Sequence, residues 1–353
     1  MTNNAAAAGS LILEDVVRLA RLITDAQYDA EPQWRAKYGS DGIVHAQQDT
    51  RYHLIVLAQA LLVETPELVL EYARWAGVVL HSRGIQGAHL DSCIYGYVSR
   101  ILRAELPLAL SDVAAEYADA AALELRKGEL AIPPTFLPEA GELEPLARRY
   151  LDALLAAEVE HAQWLMRNAR EQGVPAEQLS LRILTTTQRE VGRLWQINQI
   201  SVAQEHLCTA ATQRMLSELF PVVPGETKIS GVIVVACVGG ELHDIGCRMV
   251  SDFMRSAGWV TYFVGQSTPP KGIVEMVEMT GAHILALSCT TSLNIKLLVE
   301  TIAAVRRHKA TAGVRIMVGG RVFENAPALP EKLGADGYAR DAVGARLLAE
   351  SFR

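Results

Sequence analysis

Residues 238–246 read Val-Gly-Gly-Glu-Leu-His-Asp-Ile-Gly, so His243 stands between the carboxylates Glu241 and Asp244 in an E-x-H-x-x-G pattern that ends at Gly246. A carboxylate that holds one imidazole nitrogen leaves the other as a metal ligand. Gly246 would let a bulky ligand approach the backbone where a helix begins. The same residues also fit a surface histidine beside a helix N-terminus. Two further segments carry polar or empty positions: Ser288 and Thr290 flank Cys289, and Gly319 and Gly320 follow Val318. Upstream, Trp195, Glu205 and His206 form W-x9-E-H. An indole packs on a flat group, a carboxylate accepts from hydroxyls or amines, and an imidazole can stand near a metal. A core tryptophan followed by a solvated Glu-His pair is the plainer alternative.

Periodicity shows which elements must position these groups. From residue 228, β-branched runs at 232–236, 260–264, 284–287, 316–318 and 337–338 alternate with helical stretches near 245–256, 270–279, 293–307, 323–333 and 341–352. Such alternation predicts βαβ units and a five-stranded parallel sheet of Rossmann-like (flavodoxin-like) type. Ligands bind such sheets at the carboxyl ends of the strands, so the loops after the first, third and fourth strands are the ones of interest. All three motifs lie there. The segments 144–172, 176–195 and 199–219 have helical spacing and predict a small bundle that carries Trp195, Glu205 and His206. Farther upstream everything periodic is helical: 11–22, 43–63, a helix opened by Thr65 as N-cap with Pro66 and Glu67, then 87–105 and 111–127. Three prolines within 131–141 predict a semi-rigid linker. The expected fold class is α and α/β. The expected units are a disordered lead-in at 1–9, an all-α domain at 10–130, a Pro-rich linker at 131–143, a helical bundle at 144–222 and the α/β domain at 223–353.

Composition narrows the function classes. The 353 residues carry 33 Lys plus Arg against 40 Asp plus Glu, a net charge of -7, which speaks against direct DNA binding through a basic patch. Five cysteines without a CxxC indicate neither a disulfide framework nor a zinc site. No apolar run approaches the ~18 residues of a membrane span, and the first nine residues lack the marks of a signal peptide. A cytoplasmic protein is expected.

The three loops, in this order and on these strands, resemble the cobalamin-binding domain over residues 228–353. The resemblance implies that His243 replaces the vitamin's own base as lower cobalt ligand, with Glu241 as its acceptor. It also implies that Ser288, Thr290, Gly319 and Gly320 line a pocket for that base beside the sheet. The family usually has aspartate where Glu241 stands, a change that keeps the acceptor. A helical bundle ahead of such a domain is similar both to corrinoid carriers of methyltransferases and to CarH-type light sensors. W-x9-E-H resembles the latter, which implies that Trp195, Glu205 and His206 cap adenosylcobalamin. Those sensors have a histidine after the tryptophan that captures cobalt after illumination. Here it is Gln196, a poor cobalt ligand, so His206 or water is expected to take the vacated site.

Residues 1–128 do not resemble the DNA-binding domain of those repressors. They hold seven of the ten tyrosines, Trp34 and Trp75, four of the nine histidines and no phenylalanine, which suits a pocket for a flat, hydrogen-bonded ligand and equally a tyrosine-rich interface. With the downstream motifs, this architecture resembles the photocobilins, which hold cobalamin together with biliverdin in a globin-like N-terminal domain. The candidate bilin contacts are Arg51 and Arg83 for propionates and His53, His81 or Tyr52 for pyrrole and lactam groups, with Cys93 as a possible thioether site. The expectation is a light sensor, not an enzyme, that uses adenosylcobalamin and biliverdin and signals by domain rearrangement or light-dependent assembly of a homodimer. The alternatives are a corrinoid carrier of a methyltransferase system and a haem-binding gas sensor fused to a cobalamin domain; His53 and His81, 28 apart, stand near the separation of the distal and proximal histidines of globins.

Overall fold

The computed structural model describes residues 4–85, 87–126, 131–221 and 231–353, and of 87–93 the backbone alone. The N-terminal helices are α1 (Asn4–Glu14), α2 (Val16–Ala30), α3 (Pro32–Leu62), α4 (Glu67–Ser82), α5 (Gly87–Glu105) and α6 (Leu108–Arg126). Residues 1–3 of the expected disordered lead-in lie outside the described residues, and 4–9 are instead the first turns of α1. Its alanines favour helix, and Ala5, Ala8 and Gly9 are buried. A Cβ at Gly9 would stand 2.6 Å from the carbonyl oxygen of Ala58, so the absent side chain lets α1 lie directly on α3. α3 is interrupted at Gly39, whose φ is 63°. Thr65 does not cap α4: its hydroxyl donates to the Val63 carbonyl at 2.9 Å, and Pro66 occupies the cap position.

The stretch 131–143 is not a free linker. A 3-10 turn at Leu137–Leu143 buries Leu137 and Ala140, and the Phe136 amide donates to Glu190 at 2.9 Å. The bundle follows as α7 (Glu144–Leu155), α8 (Val159–Glu171), α9 (Ala176–Gln178), a π-helical turn at Leu179–Leu184, α10 (Thr185–Gln196) and α11 (Val202–Leu219). Its core unites Leu151, Leu154, Met166, Leu179, Ile183 and Met215 with Met249 and Phe253 of the next domain.

That domain runs β1 (Val232–Val238), α12 (Ile245–Ser256), β2 (Val260–Thr268), α13 (Pro270–Thr280), β3 (Ile284–Ser288), α14 (Ile295–Arg307), β4 (Arg315–Gly319), α15 (Leu329–Lys332), β5 (Gly337–Tyr338) and α16 (Ala342–Ser351). The sheet order is β2-β1-β3-β4-β5 with parallel pairing. Both faces are covered, which is why the strands read as nearly continuous apolar runs. Val234, Ala236, Leu285, Leu287, Ile316 and Val318 face a core shared with α13, α14 and the N-terminal helices. Ile233, Val235, Ile284, Ala286 and Met317 face the other way, toward α12 and α16. The order reverses between β1 and β3, so a crevice opens at their carboxyl ends. Among the described residues no helix is long and apolar enough to cross a membrane.

The N-terminal helices grip both other units. Gln59 of α3 accepts from the Lys296 amide at 2.7 Å and donates to the Leu293 carbonyl at 3.1 Å, so it caps the start of α14. Glu71 of α4 pairs with Arg321 at 3.2 Å.

Candidate functional site

The turn after β1 is shaped by Gly240, at φ 77°, where a Cβ would stand 2.6 Å from the Asn294 side-chain oxygen. It drives Glu241 inward and His243 outward. Glu241 is 1% exposed. Its Oε1 accepts from the His243 imidazole at 2.6 Å and from the His243 amide at 3.0 Å. Its Oε2 accepts from the amides of Thr290 at 2.7 Å and Thr291 at 3.0 Å, and from the Asn294 side chain at 3.3 Å. Burial opposes the charge on Glu241, but the imidazole and these donors outweigh it and hold the carboxyl at about 2. The same hydrogen bond pushes the His243 pKa upward. Glu241 engages Nδ1, which leaves Nε2 of an imidazole whose side chain is 63% exposed for a ligand.

Above this loop, Ser201 opens α11 through a capping box: its hydroxyl accepts from the Gln204 amide at 3.2 Å, and its own amide donates to the Gln204 side chain at 3.0 Å. The cap fixes where Glu205 and His206 emerge from the helix. Glu205 accepts from Thr209 at 2.9 Å and lies 3.5 Å from the His206 ring nitrogen. Asp244 bridges the two units by accepting from Gln213 of α11 at 2.8 Å.

A cavity of about 790 Å³ lies between bundle and sheet, near the upper end for small-molecule sites. Its wall gathers Trp195, Glu205, His206, His243, Asp244, Gly246, Ser288, Thr290, Gly319 and Gly320, that is, every expected cobalamin contact except Glu241, which stands behind His243. The cavity continues along the α12 and α16 side of the sheet past Val235, Ala286, Met317 and Ala345. Gly320, at φ 109°, could not carry a Cβ, which would stand 2.1 Å from the Cys289 carbonyl oxygen. At Gly246 a Cβ would meet nothing within 4 Å, so the room there faces the cavity. An imidazole with a free nitrogen, held by a buried carboxylate at the mouth of a deep slot beside the sheet, fits a corrinoid whose base is drawn into that slot. Gln188, Gly192, Thr209 and Arg340 also line the cavity and were missed. The i, i+4 and i+7 relation of Gln188, Gly192 and Trp195 was the available signal.

Gln196 faces away from the cavity. It is 8% exposed and donates to the Trp75 carbonyl at 3.3 Å, while its own carbonyl accepts from Ser82 at 2.9 Å and from Arg83 at 3.2 Å. Trp195 stacks on Trp75 at 6.1 Å between centroids with a 22° tilt, and Arg83 lies over the Trp195 ring at 5.0 Å.

The expected N-terminal contacts occupy separate settings. Arg83 is taken up by this clasp and is not a free propionate partner. His53 is 3% exposed, bonded to the Tyr95 hydroxyl at 3.2 Å and edge-on to Tyr72, and burial lowers its pKa to about 4. His81 is exposed in the last turn of α4. One enclosed and one exposed histidine are not the setting of two ligands on one haem. Tyr52 is exposed, and Arg51 has a buried Nε without a partner among the described residues. The side chain of Cys93 lies outside the described residues.

Two models of the B12 binding domain match residues 146–219 and 231–347. The chain is 31% identical over 193 residues to dimethylamine corrinoid protein 1 of Methanosarcina mazei, a span of 54% of this chain and 84% of that one. Dimethylamine corrinoid protein 3 of Methanosarcina acetivorans is 27% identical over 202 residues, 57% of this chain and 93% of its own length. The monomethylamine corrinoid protein of Methanosarcina barkeri shares the fold, with a TM-score of 0.52 at 21% identity over 59% of this chain and 99% of that one. The chain belongs to the B12-binding corrinoid-protein family.

Proposed function

We propose that this family member is a light sensor rather than an enzyme: a protein that holds adenosylcobalamin between bundle and sheet and passes the loss of the upper ligand to its N-terminal helices. When bound, the corrinoid supplies a cobalt-carbon bond that green light can break. The chain's residues do the rest. His243, oriented by Glu241, would ligate the cobalt, and the slot at Gly319 and Gly320 would receive the base. Trp195, Glu205 and His206 would cover the ligand that light removes, and His206 or water would be at hand to take its place. The observation that carries the reading is the two-sided setting of Trp195, which lines the cavity on one side and stacks on Trp75 of α4 on the other. A change in what Trp195 packs against therefore changes how the N-terminal helices sit. Biliverdin in those helices would extend absorption to the red; the concentration of seven of the ten tyrosines in residues 1–128 supports this. A homodimer whose assembly depends on light belongs to the same proposal.

The relatives favour a second reading, a corrinoid carrier that serves a methyltransferase, and over residues 146–347 they support it better than they support sensing. It leaves unexplained why α4 clasps the cap, since a carrier must uncover its corrinoid for a partner enzyme. Absorption spectra of protein expressed with cobalamin and biliverdin, taken before and after green and red light, test the proposal. A cobalamin band that shifts under green light and a second band that responds to red support it. Methyl transfer from a corrinoid methyltransferase to the bound cobalamin, with no structural response to light, would establish the carrier reading instead.

A further inference from the structure

Gly192 lies in the middle of α10, where glycine is less stable than alanine. No positive φ requires it, and no neighbour excludes a side chain: a Cβ there would meet no protein atom within 4 Å. The space it leaves opens on the cavity. Gln188 and Trp195, four residues before and three after, share its face of the helix, and Glu205 and Thr209 of α11 close the other side. Hydrogen bonds decide what this recess offers. Gln188 directs its amide nitrogen inward, to Thr212 at 2.8 Å and the Cys208 carbonyl at 3.2 Å, so its oxygen is held beside Thr209 at 3.2 Å. The single Thr209 hydroxyl proton can serve only one of the two oxygens beside it; the shorter contact gives it to Glu205 at 2.9 Å and leaves the Gln188 oxygen open as an acceptor. The recess therefore joins a flat indole, a missing side chain and two acceptors, the Gln188 amide oxygen, positioned through its own amide nitrogen, and the Glu205 carboxylate, held by Thr209.

We propose that Gly192 and Gln188 complete, with Trp195 and Glu205, a cup that selects corrinoids bearing a nucleoside-sized, hydrogen-bond-donating upper ligand over those bearing a methyl group. This rests on the sensor reading and deepens it by assigning the choice of upper ligand to residues outside the W-x9-E-H motif. A methyl group needs neither the space nor the acceptors.

The test titrates the full chain, in the dark, with adenosylcobalamin and with methylcobalamin, read by absorbance. Gly192→Leu is expected to weaken adenosylcobalamin binding at least tenfold and to leave methylcobalamin within about twofold. Gly192→Ala adds a helix former where nothing is crowded, so it is expected to keep or raise the melting temperature of the cobalamin-free protein while still weakening adenosylcobalamin. Gln188→Met, of similar size but without the acceptor, is expected to shift the preference in the same direction. Equal losses for both corrinoids, or none in any variant, would overturn the proposal. Because no illumination is involved, a failed cup and a failed light response are separate results.

Discussion

His243 works through Glu241, whose two oxygens hold an imidazole, three backbone amides and one side-chain amide at once. Glu241→Ala leaves the buried amides of Thr290 and Thr291 without partners. It should lower the stability of the cobalamin-free protein by about 1–3 kcal/mol in urea unfolding and weaken cobalamin roughly 10–100-fold. His243→Ala, which removes an exposed side chain, should weaken cobalamin too but change stability by less than about 1 kcal/mol; a large stability loss would recast the histidine as structural. Asp252 on α12 gives the pH dependence. Its Oδ1 meets Arg255 at 3.2 Å, and its Oδ2 is buried with no partner among the described residues. Burial outweighs the nearby arginines and raises its pKa from 3.8 to about 6. The folded state thus holds this proton more tightly than the unfolded one, and the stability it lends is present below pH 4 and lost as pH rises through about 6. Asp252→Asn should stabilise the protein at pH 7 by about 3 kcal/mol and should not at pH 4; equal gains at both would contradict the assignment. The pairing of His243 with its acceptor could be read from the sequence because the imidazole and the carboxylate that holds it lie two residues apart. The inward turn of Gln196 could not, because its partners Trp75 and Ser82 are more than a hundred positions away.

At the scale of elements, the sheet and its loops were legible because strands buried on both faces leave unbroken β-branched runs, and the motifs sit at their ends. The same reading failed at 4–9 and 131–143, where alanine and proline composition suggested disorder or a linker. What decides both segments is non-local: Gly9 lies against Ala58, and Phe136 against Glu190. The start of α11 is local and testable. Ser201→Ala removes the hydroxyl of the capping box and should cost about 1 kcal/mol. It should also weaken adenosylcobalamin more than methylcobalamin, since Glu205 and His206 follow the cap by one turn; an equal effect on both would confine Ser201 to stability.

Across the whole molecule, the N-terminal helices do not hang from the corrinoid module but hold it at several points, among them Gln59 at the head of α14, the Glu71–Arg321 pair, and the Trp75, Ser82 and Arg83 clasp on the end of α10. Trp75→Ala should leave cobalamin bound and uncouple α4 from the cap. Amide exchange in residues 67–82 should then no longer depend on which upper ligand is present, and persistence of that dependence would place the coupling elsewhere. The clasp joins side chains that no local pattern links, so no stretch of sequence announces it. The most direct test is X-ray scattering from the adenosylcobalamin-loaded full chain, in the dark and after green light, with bleaching of the cobalamin followed in the same cell. The account predicts a change in radius of gyration or in mass that tracks the bleaching. Complete bleaching with an unchanged scattering profile would contradict it.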